Sequence, residues 1–156
     1  MAVTLKPGDK APAFKALNEK NESVSLSSYK GKKLALYFYP QDNTPTCTVE
    51  ACNLRDNYRM LQKQGYEILG VSPDSVKKHI NFIKKFKLPF SLLSDPEHKI
   101  CEDYGVWDWK ELFGRRYMGV LRTTFIINEK GRIERIIEDV TSKEHSAQIM
   151  QTQSRK

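Results

Sequence analysis

The chain predicts an α/β fold, a central mixed β-sheet flanked by helices, and three observations lead there. The run Leu34-Ala35-Leu36-Tyr37-Phe38-Tyr39 is continuously apolar, as a parallel strand buried on both faces must be. Strand-like and helix-like segments then alternate along the chain. Near the end, Thr123 to Asn128 and Ile133 to Asp139 face each other across Glu129-Lys130-Gly131, which reads as an antiparallel hairpin. A length of 156 residues makes one domain over 1–156 the expectation. A chain of that size buries roughly 70% of its unfolded surface, so its core needs no metal or disulfide staple.

Taken in order, Ala13 to Leu26 predicts an extra N-terminal hairpin around Asn18 to Asn21. The apolar strand stops at Pro40, which cannot continue a central ladder. A helix is expected from Thr44 to Gln64, with Thr44 as N-cap, Pro45 at the first helical position and Gly65 as the stop. Tyr66 to Val71 is the next strand, and Ser72-Pro73-Asp74 caps a helix running to about Lys87, before Pro89. Phe90 to Leu93 is a short strand, Asp95-Pro96-Glu97 opens a short helix, and a C-terminal helix lies near Lys143 to Gln151. No internal repeat, low-complexity segment or linker interrupts the pattern.

The stretch Asn43-Thr44-Pro45-Thr46-Cys47-Thr48-Val49-Glu50-Ala51-Cys52 carries the chemistry. Cys47 falls at N3, where unpaired backbone N–H groups and the positive end of the helix dipole favour a thiolate over a thiol. Cys52 follows five residues later. An intact helix separates such a pair by roughly 8 to 9 Å between Cα atoms, beyond the ~7 Å limit for a disulfide. The two sulfurs join only if the helix opens. By spacing alone Cys52 is either a redox partner of Cys47 or a small buried hydrophobe. The loop before them leaves the C-terminal end of a strand, where sites form in open α/β sheets.

These residues resemble a known family. YFYPQDNTPTCTVEACNLRD, from Tyr37 to Asp56, is similar to the active-site segment of the peroxiredoxins, in the branch of the bacterioferritin comigratory protein, or PrxQ. The family's Pro-x-x-x-Thr-x-x-Cys pattern falls on Pro40, Thr44 and Cys47. The likeness extends through PGDKAPAF between Leu5 and Leu17, YGVW from Tyr104 to Trp107, and the GVxRxTFxI strand from Gly119 to Ile127. It implies a thioredoxin-like fold and a peroxidase in which Cys47 attacks a hydroperoxide and Cys52 resolves the sulfenic acid as a disulfide. It also implies thioredoxin or a similar dithiol protein as reductant.

The resemblance further assigns roles to neighbours. Arg122 would stabilise the thiolate and the charge developing on the peroxide oxygens, and Thr44 would align those oxygens or Cys47. Pro40 would shield the site from water and Glu50 would orient Arg122. On residue type alone Thr44 is a helix cap, Glu50 an acid favoured by the dipole, and Arg122 a strand-edge charge. One position departs from the family, which usually places Gly before its reactive cysteine. Thr46 stands there, removing backbone freedom that would help the first turn unwind.

Composition limits the alternatives. The balance of 26 basic against 19 acidic residues gives +7, but the lysines are scattered and no nucleic-acid motif accompanies Arg115-Arg116. Neither a nucleic-acid partner nor a membrane is expected, since no apolar segment nears the ~20 residues of a spanning helix. Three cysteines and no secretory leader fit a cytoplasmic setting. No nicotinamide or flavin motif and no metal-ligand spacing is present, so no cofactor is expected. His79, His98 and His145 are too dispersed for a metal motif and are assigned surface or structural roles. Trp107 and Trp109 are read as packing residues, and Cys101 as a packed, dispensable thiol. The oligomer is expected to be a monomer or a weak dimer through the apolar loop residues Trp109, Leu112 and Phe113. Two rival functions are a thioredoxin-like disulfide reductase, which normally uses Cys-x-x-Cys, and a non-catalytic binding protein.

Overall fold

The structure, a computed structural model, describes residues 4–150. Its N-terminal hairpin pairs β1 (Lys15–Leu17) with β2 (Ser23–Ser25), as expected. The Asn18 side chain closes the turn by accepting the N–H groups of Lys20 and Glu22. Next come β3 (Lys33–Phe38), α1 (Pro45–Asp56), α2 (Tyr58–Lys63), β4 (Tyr66–Ser72), α3 (Val76–Phe86), β5 (Ser91–Ser94) and α4 (Lys99–Asp103). The chain ends with β6 (Trp107–Leu112), β7 (Arg115–Val120), β8 (Thr123–Ile127), β9 (Ile133–Ile137) and α5 (His145–Met150).

Seven strands form one sheet in the order β2-β1-β5-β4-β3-β8-β9. The three central strands β3, β4 and β5 are parallel, while β8 runs antiparallel to β3, so the sheet is mixed. β3 lies between β4 and β8 and sends alternate side chains to two cores. Leu34, Leu36 and Phe38 pack with Tyr104, Phe125 and the α4 residues Ile100 and Cys101. Ala35, Tyr37 and Tyr39 face the other way, onto Ala51 and Leu54 of α1, Leu61 of α2, Phe82 of α3 and Ile149 of α5. Burial on both faces explains the unbroken apolar run.

Four expectations are corrected. The helix expected from Thr44 to Gln64 is two helices, because Asn57 leaves helical geometry at φ −113°, ψ 14° and its side chain donates back to the Asn53 carbonyl. Gly65 does end the second, at φ 89°. α3 starts later than expected, since Ser75 rather than Ser72 caps it by accepting Lys78 N–H. α4 also starts late, at Lys99, while Asp95 reaches past two residues of turn to accept the N–H groups of Ile100 and Cys101. Finally, the segment around Trp109 to Phe113 is no loop but the antiparallel hairpin β6–β7. Its turn residues Phe113 and Gly114 both have positive φ, 53° and 77°, as a primed two-residue turn requires. The strand expected from Gly119 to Ile127 is thereby broken at Leu121-Arg122.

Candidate active site

The site forms where β3 hands over to α1. Pro40 is half-buried at the end of the strand, and the loop beyond it is fixed by buried polar contacts. Asp42 accepts the Tyr39 hydroxyl at 2.5 Å and meets His79 Nδ1 at 2.6 Å, and its own N–H donates to Asp74 at 2.7 Å. His79 Nε2 donates to the Leu93 carbonyl at 2.9 Å, and Ser72 donates to Asp74 at 2.8 Å. The loop that delivers the helix is thus latched to β4, α3 and β5.

Pro45 opens α1 with no N–H to leave unpaired, and Cys47 occupies N3 as the sequence predicts. Thr44 holds the N-cap position, with extended backbone and its carbonyl accepting Thr48 N–H at 2.8 Å. Its hydroxyl does not cap the helix. It donates to the Gln41 carbonyl at 3.2 Å instead, which leaves the capping expectation half met.

Arg122 sits at the break between β7 and β8, with its guanidinium against α1. Nη2 lies 3.3 Å from Cys47 Sγ, and Nη1 donates to Glu50 Oε1 at 2.6 Å. Glu50, one helical turn after Cys47, is fully buried. The fork therefore spans thiol and carboxylate, as a planar guanidinium does and an ammonium cannot. Burial pushes the Glu50 carboxyl up to about 7, against the pull of Arg122. Burial would depress Arg122, but Glu50 and Cys47 together hold it above its ordinary value. Lys110 of β6, which donates to the Val120 carbonyl at 3.0 Å, is lowered by burial and by the nearby Arg122.

Cys52 is half-buried, and both Cys47 and Cys52 are free thiols on the intact α1 helix. Next to Cys52, Asn53 docks the C-terminal segment by donating to the Lys143 carbonyl at 2.9 Å and accepting Ser146 N–H at 2.7 Å. Cys101 is fully buried, and burial followed by the Asp95 carboxylate pushes its thiol far above the ordinary range.

The structure brings Arg122 onto both Cys47 and Glu50; Thr44 and Pro40 lie on the loop that leads into α1, and the Thr44 hydroxyl is turned to Gln41. Sequence reasoning missed two buried histidines. His79 belongs to the loop latch, and His145 places Nδ1 3.0 Å from Glu50 Oε2. No local motif signals either, since each partner lies on a distant element. Asp42, Asp74 and His79 also bring one ligand-type atom each within 4.8 Å of one another. Their hydrogen bonds to Tyr39, Ser72 and Leu93 already account for that grouping. Trp107 packs on the core as expected, whereas Trp109 is 54% exposed under Arg116 and Phe113 is 94% exposed at the hairpin tip.

Comparison with known proteins identifies the family. Residues 7–136 match the AhpC/TSA family. Peroxiredoxin Bcp of Bacillus subtilis is 46% identical over 150 residues, covering 96% of each chain. Among solved structures, Xanthomonas campestris peroxiredoxin Q superposes with a TM-score of 0.83 at 31% identity, covering 95% of this chain and 93% of that one. Xylella fastidiosa PrxQ gives a TM-score of 0.86 at 29% identity, covering 93% of this chain and 92% of its own. Matches of this extent, over a site with cysteine, arginine and glutamate in contact, establish that the chain belongs to the AhpC/TSA family, in its Bcp/PrxQ peroxiredoxin branch.

Proposed function

We propose that the protein reduces hydrogen peroxide and organic hydroperoxides through a Cys47 sulfenic acid and an intramolecular Cys47–Cys52 disulfide, with thioredoxin or a similar dithiol protein as reductant. Peroxidase activity toward a hydroperoxide at the expense of a thiol follows from the family; the residue roles and the recycling partner are the proposal. The observation that carries it is the 3.3 Å approach of Arg122 Nη2 to a cysteine at N3 of a helix.

The Cys47 thiolate attacks one peroxide oxygen and breaks the O–O bond, leaving Cys47 as sulfenic acid and the other oxygen as hydroxide or alkoxide, which takes a proton. Arg122, already paired to Glu50, supplies fixed positive charge where that oxygen becomes negative. Thr44 turns its hydroxyl from Gln41 to the substrate oxygens, and Pro40 limits water at the thiolate. The Cys52 thiol then attacks the sulfenic sulfur and expels water, forming the disulfide that the reductant returns to two thiols. The reading places the protein in the cytoplasm, where a dithiol reductant keeps such cysteines reduced, acting as a monomer or weak dimer.

The test is stopped-flow oxidation of the reduced protein, comparing wild type with Cys47→Ser and Cys52→Ser. Rapid peroxide consumption should vanish in the first variant. The second should consume about one equivalent and accumulate a sulfenic acid trapped by dimedone. Insulin reduction without peroxide consumption would support the disulfide reductase instead.

A further inference from the structure

Glu50 uses only half of its carboxylate on Arg122. Oε1 accepts Nη1, while Oε2 lies 3.0 Å from His145 Nδ1 without hydrogen-bond alignment. Among the described residues neither of these two buried atoms has a hydrogen-bond partner, so each is the other's nearest candidate. The opposite ring nitrogen, Nε2, lies 2.7 Å from Thr124 Oγ1 on β8. His145 is fully buried at the start of α5, with Tyr37 of β3 edge-on at 5.4 Å between ring centroids. We infer that His145 is a positioning residue, holding the Glu50 carboxylate against Arg122 and through it the guanidinium against Cys47.

Proton accounting supports the assignment. Burial, followed by Arg122, pushes His145 down to about 3, so the imidazole is neutral and carries one N–H. With that proton on Nδ1, a small turn of the ring brings it onto Glu50 Oε2, and the Thr124 hydroxyl donates to Nε2. If Glu50 takes a proton on Oε2, the ring moves its own proton to Nε2, which donates to Thr124 Oγ1. A hydroxyl serves either state because it both donates and accepts. No polar atom of the set is then stranded, which a buried carboxylate titrating near 7 requires. The other groups facing the pair are Arg122, Cys47 and Tyr37. Tyr37 stays neutral, raised by burial and then by Glu50. The inference rests on the reading of Arg122 as the group that serves Cys47.

Two measurements test it. In wild-type protein with 15N-labelled histidine, the His145 ring should be the Nδ1–H tautomer above the Glu50 midpoint and the Nε2–H tautomer below it. A ring that keeps one tautomer through that midpoint overturns the inference, whatever the activity. The midpoint itself is read from the Glu50 carboxylic acid band in infrared difference spectra, identified by its loss in Glu50→Gln. His145→Phe, which removes the N–H, should raise the midpoint by one pH unit or more. It should move the inflection of Cys47 oxidation with it. His145→Asn, whose amide replaces Nδ1–H, should restore the midpoint to within about half a unit. A rate loss equal at every pH, with an unmoved midpoint, would mean that His145 only fills space.

Discussion

Replacing Arg122 by alanine removes the contact to Cys47 and the contact to Glu50 together. At an effective dielectric of 20, a cation 3.3 Å from a thiolate interacts with it by roughly 5 kcal/mol. The Glu50 carboxylate on the other arm of the fork and the burial of the guanidinium offset part of that attraction. What is lost from the transition state is then about 3 to 4 kcal/mol, or 10²- to 10³-fold in rate, the range for deleting one donor to a developing oxyanion. Glu50 loses its charge partner but already titrates near 7, so it meets the loss by taking up a proton, and the fold survives. Arg122→Lys keeps the charge but cannot reach both partners, and should fall between wild type and alanine. The assay is stopped-flow oxidation of reduced protein across peroxide concentrations, with circular dichroism to confirm folding. A folded alanine variant that loses tenfold or less would show that Arg122 is structural, and the electrostatic account of the site would fail with it.

Five further outcomes are expected. Cys101→Ser should leave turnover within about twofold, and peptide mapping after one equivalent of peroxide should find no Cys101–Cys47 disulfide, because burial holds that thiol protonated. In the oxidised protein, amide exchange should quicken from Thr44 to Leu54, since Cys47 and Cys52 cannot join across an intact turn; Thr46→Gly should raise the peroxide needed for inactivation without changing the first oxidation. His79→Leu should destabilise the protein by about 3 kcal/mol in urea unfolding, because it leaves Asp42 buried without its partner at 2.6 Å. His145 titrates near 3 in the fold against 6.5 unfolded, so the unfolded chain binds the extra proton and stability falls as pH drops from 6.5 toward 3; His145→Asn should lose up to roughly 5 kcal/mol less over that window.

The sequence made the sheet readable because β3 is buried on both faces from Leu34 to Phe38 and therefore apolar over that run, and Ile68 to Val71 of β4 is buried beside it. The reactive helix was readable because Pro45 and the cysteine spacing are local signals. The β6–β7 hairpin was not, for its turn uses Phe113 where Asn or Asp is usual, and its strands carry exposed aromatics without clean alternation. The break at Asn57 escaped notice because a side chain returning to its own helix backbone leaves no periodic trace. In the site, Cys47, Glu50 and Arg122 are legible because each falls within a local motif of the sequence. His145 is not, because a histidine 95 positions from Glu50 becomes its neighbour only when α5 folds back onto α1.

The loop latch has a consequence for the disulfide step. Asp42 is held by Tyr39, His79 and Asp74, and Asn53 is held by the C-terminal segment, so the stretch between them is a chain fixed at both ends. Cys47 is five residues from the first anchor, and even fully extended it stays within about 18 Å of Asp42. Cys52 is adjacent to the second anchor and hardly moves. When the first turns of α1 melt, the oxidised sulfur explores a small volume that always contains its target, as a tethered ligand does at high effective concentration. Anchoring a helix that must open thus confines the search it has to make.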